Sequence, residues 1–148
     1  MPVNHRFLEH DFGNGFQTHN AILDKTPYEP EVLFVGTFNP DVPTNPSDFF
    51  YSRNYFWPVM KNLSLPFDEH ITGRRVHPVG QIPNVLDPDM EKVFGICTER
   101  KMTFADLIKQ VDVANIIGYK DDDLAMYGQQ GLCEWSTDYI ITYLRPDA

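Results

Sequence analysis

Cysteine is scarce: Cys97 and Cys133 are the two in a chain of 148 residues. They stand far apart and in no metal-ligand spacing. They read as reduced core thiols rather than a disulfide, which makes a cytoplasmic location the default. Positive charge is also short, with 12 Lys and Arg against 21 Asp and Glu and a net charge of −9. That argues against broad electrostatic attraction to nucleic acid, while leaving room for a small basic patch. No apolar run is long enough to span a bilayer and no basic-then-apolar leader opens the chain, so no membrane partner is expected. The run Lys120-Asp121-Asp122-Asp123 has no calcium-loop spacing. Three consecutive carboxylates cannot converge on one ion from regular structure, so the run reads as a solvated loop or helix cap. His5, His10 and Asp11 fit no compact ligand pattern either, and neither a metal nor a cofactor is expected.

What is present is globular: 42% of residues are hydrophobic and 22% charged. The length suits a single domain over residues 1–148. Residues 1–30, broken at Gly13-Asn14-Gly15, read as an irregular arm packing Phe7, Phe12 and Phe16 onto it. Val32-Leu33-Phe34-Val35 reads as a short buried strand that breaks at Gly36. Glycine there lets backbone and ligand approach closely, and open α/β sheets bind ligands at that edge. A Pro-rich loop over 41–48 leads to an aromatic block of Phe49, Phe50, Tyr51, Tyr55, Phe56 and Trp57. A helix opens near Asn54, a fair N-cap, with Phe56, Met60 and Leu63 on one face and Trp57 as core packing. Residues 87–95 carry helix punctuation, with an Asp cap, Pro at the first position and Gly after the end. Residues 103–111 read as another helix: Thr103 caps it, Asp106 sits three residues on, and Phe104, Leu107, Ile108 and Val111 form a stripe. Residues 113–117 are the second strand, parallel to the first by the usual crossover. Residues 135–144 fit helix or strand and are read as helix.

The ordered set Gly36-Thr37-Phe38-Asn39-Pro40, then Phe49, then Arg53-Asn54-Tyr55-Phe56-Trp57 resembles the first motif region of the uracil-DNA glycosylase superfamily. There a strand runs into a Gly-x-Asn-Pro or Gly-Ser-Phe-Pro turn, followed by an aromatic loop and an Asn-x-Phe-Trp helix start. The nearest branches are the mismatch-specific and hypoxanthine-DNA glycosylase types, and the likeness spans residues 32–63. It implies an α/β fold, a three-layer αβα sandwich around a short parallel sheet. It also implies a DNA repair hydrolase that cleaves the N-glycosidic bond of uracil or hypoxanthine flipped out of damaged DNA. By the same resemblance Asn39 and Asn54 are the catalytic candidates. Gly36, Thr37 and Phe38, with Phe49, Phe50 and Tyr51, would bind the base, and Arg53 would contact a DNA phosphate.

The chain departs from that pattern in two places. Asn39 lies one residue later than in a Gly-x-Asn-Pro turn, and a one-residue shift in extended backbone points a side chain to the opposite face. In the hypoxanthine-type frame Phe38 holds the first motif's functional place. No carboxylate occupies the turn; Asp41 is the nearest, and a neutral amide activates water weakly, so slow turnover is expected. The family's two further strands and its His/Asn-Pro-Ser-like loop have no counterpart after Leu144. The fold is therefore expected to be incomplete at its C-terminal end: a fragment, a shortened relative, or a sheet completed by partner chains. In the last case oligomerisation would cover exposed edges. Two other readings stand beside the enzyme: an inactive relative binding a base, nucleotide or protein through the same pocket, and an unrelated small-molecule α/β domain.

Overall fold

A computed structural model describes residues 2–45, 47–51, 56–63, 90–116 and 118–144. The chain has mixed α/β content and divides into two compact units. Met1–Asn45 with Lys101–Ala148 form the first, and Pro46–Arg100 form the second. Among the described residues no helix is long and apolar enough to cross a membrane.

The first unit carries the strands. β1 (Val3–Asn4), β2 (Asp11–Gly13), β3 (Phe16–His19) and β4 (Ile22–Lys25) occupy the stretch read as an irregular arm. The reason is visible in hindsight. Phe16 and Thr18 alternate inward along β3, and the glycines that break the pattern are a hairpin tip. Gly13, Asn14 and Gly15 all have positive φ, and the Gly13 amide donates to Asp11 Oδ1 at 2.8 Å. That bond, then one from Gln17, holds the Asp11 carboxyl below its usual range. β3 and β4 join through Asn20 and Ala21, both at positive φ, as a two-residue primed hairpin turn requires. The absence of Asn-Gly hid this turn. Tertiary bonds fix it instead: Ala21 O accepts the Asp106 amide at 3.0 Å, and Asn20 O accepts the Ser136 hydroxyl at 3.1 Å.

β5 (Val32–Gly36) and β6 (Met102–Asp106) complete a five-stranded sheet in the order β2-β3-β4-β6-β5. β5 and β6 are parallel, in register from Val32 opposite Met102 to Gly36 opposite Asp106. A parallel pair is therefore present, but the partner is β6 and not the strand expected at 113–117, and it is the only parallel pairing among the described strands; the others are antiparallel. β5 is an edge strand with Val32 and Val35 exposed, not the buried strand its apolar run suggested.

The expected helix over 103–111 is overturned: these residues form β6 and then β7 (Ile108–Val111). Every residue of β6 is buried, so its apolar spacing reflects burial on both faces rather than a helical stripe. Thr103, read as an N-cap, instead donates its hydroxyl to Leu23 O on β4. Phe34 stacks on Phe104 at 5.6 Å between ring centroids. Nor do residues 113–116 form a strand; Ile116 packs into the core with Val3, Val42, Ile108, Val111 and Leu124, and Ile117 lies outside the described residues.

At Leu107 the chain passes from the larger sheet to a three-stranded one, β1-β7-β8, with β8 spanning Cys133–Trp135. α3 (Asp121–Gln129) begins with the triple-Asp run, so the helix-cap reading stands; the Lys120 amide donates to Asp123 Oδ2 at 3.2 Å. α4 (Thr137–Leu144) follows β8 and buries Ile140 against Ile22 and Ala105. The helical reading holds for that part of 135–144.

The second unit contains α1 (Phe56–Leu63) and α2 (Met90–Arg100). Trp57 is buried, as expected of a core residue, and its indole N–H donates to Phe50 O at 2.8 Å. Phe56 and Met60 are half-buried and Leu63 is exposed, so the packed face is turned towards Trp57. α2 does not end at Gly95 but runs five residues further, burying Val93, Phe94 and Cys97. The punctuation at 87–89 and the Asn54 cap lie outside the described residues.

Two outcomes follow from this packing. Phe104→Ala empties a fully buried position in the interior strand β6 and should cost about 3–5 kcal/mol in chemical denaturation. Burial pushes the Cys97 thiol up to about 12, so it stays protonated at pH 8 and should resist iodoacetamide in the native protein. Mass spectrometry would show it labelled only after denaturation.

Candidate functional site

The segment after β5 does not leave the sheet at once. Gly36 O accepts the Leu107 amide at 3.0 Å and Thr37 O accepts the Ile108 amide at 2.9 Å, so parallel pairing outlasts the strand by one residue. The Thr37 hydroxyl donates to Asp121 Oδ1 at 2.8 Å, tying the turn to the start of α3. Phe38 is half-buried against the core cluster around Val3 and Val111. The chain then runs beside β1: Asn39 O accepts the Arg6 amide at 2.7 Å, and Asn4 O accepts the Asp41 amide at 2.9 Å. The Arg6 guanidinium donates to Val42 O at 2.9 Å and to Asn45 O. The turn is thus held by main-chain bonds on both sides.

Asn45, buried, sets the orientation of Asn39. Its Nδ2 donates to Pro40 O at 2.8 Å and also meets Asn39 Oδ1 at 2.5 Å. A main-chain carbonyl can only accept, so the Asn45 atom must be its nitrogen and the Asn39 atom facing it must be an oxygen. Asn39 is half-exposed, and its NH2 end has no protein partner among the described residues. The side chain therefore offers a ligand a donor, not an acceptor.

Behind the turn lies a buried pair. His5 Nε2 meets Asp106 Oδ2 at 2.6 Å, while His5 Nδ1 accepts the Phe7 amide at 3.0 Å. Nδ1 is thereby unprotonated, Nε2 carries the hydrogen, and the imidazole donates to the carboxylate. The His5 side chain has no solvent exposure and that of Asp106 9%, so the pair pins β1 to β6 instead of meeting solvent. His10 and Asp11 do not join it: the His10 ring packs on Phe7 and Phe12, and Asp11 binds its own hairpin. Among the described residues no group of three or more metal ligands occurs.

The structure thus brings Gly36, Thr37, Phe38 and Asn39 together with His5, Asn45 and Asp106. Phe49, Phe50 and Tyr51 belong to the second unit. Phe49 and Phe50 are buried; Phe49 packs edge-on against Phe50 and Phe94 at 5.5 and 6.0 Å. Tyr51, half-buried, stacks on Phe56 at 4.5 Å. Arg53 and Asn54 lie outside the described residues. Sequence reasoning passed over Arg6 and Asn45 and gave His5 and Asp106 other roles. Only Asp106 carried a signal, its place at the carboxyl end of an apolar run, and that was absorbed by the helix reading.

Removing His5 should unmask the pin. His5→Leu leaves the Asp106 carboxylate and the Phe7 amide without their partner, and should lower stability by about 3–5 kcal/mol in denaturant titration. His5→Gln, whose amide can donate to Asp106, should recover part of that loss. No protein-family model, characterised protein or solved structure matches the chain.

Proposed function

We propose that the chain is a base-excision glycosylase domain related to the uracil-DNA glycosylase superfamily, hydrolysing the N-glycosidic bond of uracil or hypoxanthine flipped out of DNA. Its three-layer αβα arrangement is part of the same proposal. The observation that carries the reading is the donor end of Asn39, a half-exposed residue just beyond the parallel pair β5–β6. As the N-glycosidic bond breaks, negative charge grows on the departing base and on its ring carbonyl oxygens. A fixed N–H donor aimed at such an oxygen stabilises the transition state more than the ground state. Asn39 therefore binds the base rather than activating water. Thr37 and the Asn45–Arg6 bonds hold the turn so that this donor needs no rearrangement when the base enters.

One observation favours the inactive, base-binding relative. Phe49, the aromatic matched to base stacking, is fully buried, and so is Phe50. In that reading the stacking grip that excision needs is lost, and binding rests on the Asn39 donor alone.

The decisive assay is release of free base from single- and double-stranded oligonucleotides containing uracil or hypoxanthine. Slow release is expected from the wild type. Asn39→Asp keeps the oxygen facing Asn45 and removes the donor, so it should lower release by about 10²-fold, the loss typical of an oxyanion donor. A higher rate for Asn39→Asp would show that the residue acts on water. No release by folded protein that still binds the free base would select the inactive relative.

A further inference from the structure

We propose that a separate cleft, beside the amino end of β5, binds a small organic ammonium ion. It encloses about 550 Å³, within the range that holds small ligands, and is bounded by the stretch from Asp24 to Leu33 and by the end of α4. Its floor is apolar, from Val32 and Leu33, and its aromatic walls are Tyr28 and Tyr143.

Tyr28 donates its hydroxyl to Met102 O at 2.5 Å and packs edge-on against Phe16 at 5.9 Å between ring centroids, so it is a fixed wall. Tyr143, half-buried, lines the cleft with an aromatic ring, whose negative face attracts cations. The charges agree in sign. Among the described residues that line the cleft, Asp24, Glu29 and Glu31 stand against Lys25 alone. Asp24 is occupied by His19 and Tyr139, at 2.7 and 2.6 Å, and Glu31 faces Lys101 at 3.4 Å. Among the described residues Glu29 has no hydrogen-bond or salt-bridge partner, so its carboxylate is available. The same field acts on the wall: burial chiefly, with the charges of Asp24 and Glu29, pushes the Tyr143 phenol up, against the opposing influence of the nearby Thr103 hydroxyl. An anion would meet net negative charge here. A neutral sugar would find few free donors. An ammonium ion with apolar substituents meets the Tyr143 ring, the apolar side chains of Val32 and Leu33 and the Glu29 carboxylate together.

The inference is independent of the glycosylase reading, since none of these residues belongs to the Asn39 turn. Choline chloride titrated into ¹⁵N-labelled protein tests it, with sodium chloride at equal ionic strength as control. Expected are saturable shifts confined to the amides of residues 28–33 and 143–144, in the millimolar range. Glu29→Gln, an exposed change that leaves the fold intact, should weaken binding by about threefold to fivefold. Tyr143→Leu should abolish saturation. Shifts that fail to saturate, shifts that sodium chloride reproduces, or equal choline affinity in Glu29→Gln would each overturn the proposal.

Discussion

The fold turns on one corner. At Asp106 the buried strand β6 ends and the chain bends through Leu107 into the second sheet. The Asp106 amide secures the β3–β4 hairpin through Ala21 O, and its carboxylate secures β1 through His5. Its register partner is Gly36, the last residue of β5. A hydrogen bond to a buried charge contributes about 1.5–3 kcal/mol, and leaving that charge unpaired costs more. The corner is therefore held by groups that cannot be released singly without penalty. The candidate turn inherits that rigidity, because Thr37 and Asn39 pair with the segments that Asp106 fixes.

Rigidity is what gives Asn39 a chemical direction. An exposed asparagine on a mobile loop can present either end of its amide. Here the chain of bonds from Pro40 O through Asn45 to Asn39 determines which end faces out. The preference is local, but it depends on Arg6 and β1 holding residues 39–45 in place. A donor that is already oriented pays no reorganisation cost when charge develops opposite it.

The limits of the sequence reading have physical causes. The strand over 32–36, its parallel partner's existence, the helices at 56–63 and 137–144 and the Asp-rich helix start were legible, because local pattern and punctuation agreed there. The partner's position was not. Phe104, Leu107, Ile108 and Val111 fit a helical stripe, yet Met102–Asp106 are all buried between β4 and β5, and a strand covered on both faces shows no alternation. The amino-terminal hairpins were missed because Asn20-Ala21 lacks the usual glycine and is stabilised from outside the turn. The site was half legible. Spacing located the turn at 36–40, but the residues that orient it, His5 with Arg6, Asn45 and Asp106, come from three separate segments that only the fold brings together.

The central claim is that Asn39 faces a ligand with its NH2 group while Asn45 holds its oxygen. The most direct measurement is the side-chain amide ¹H–¹⁵N spectrum during titration with free uracil or hypoxanthine. The Asn39 NH2 resonances should shift and saturate, while those of Asn45 stay in place because its nitrogen is committed to Pro40 O and Asn39 Oδ1. Resonances of Asn39 that stay fixed while those of Asn45 move would contradict the account.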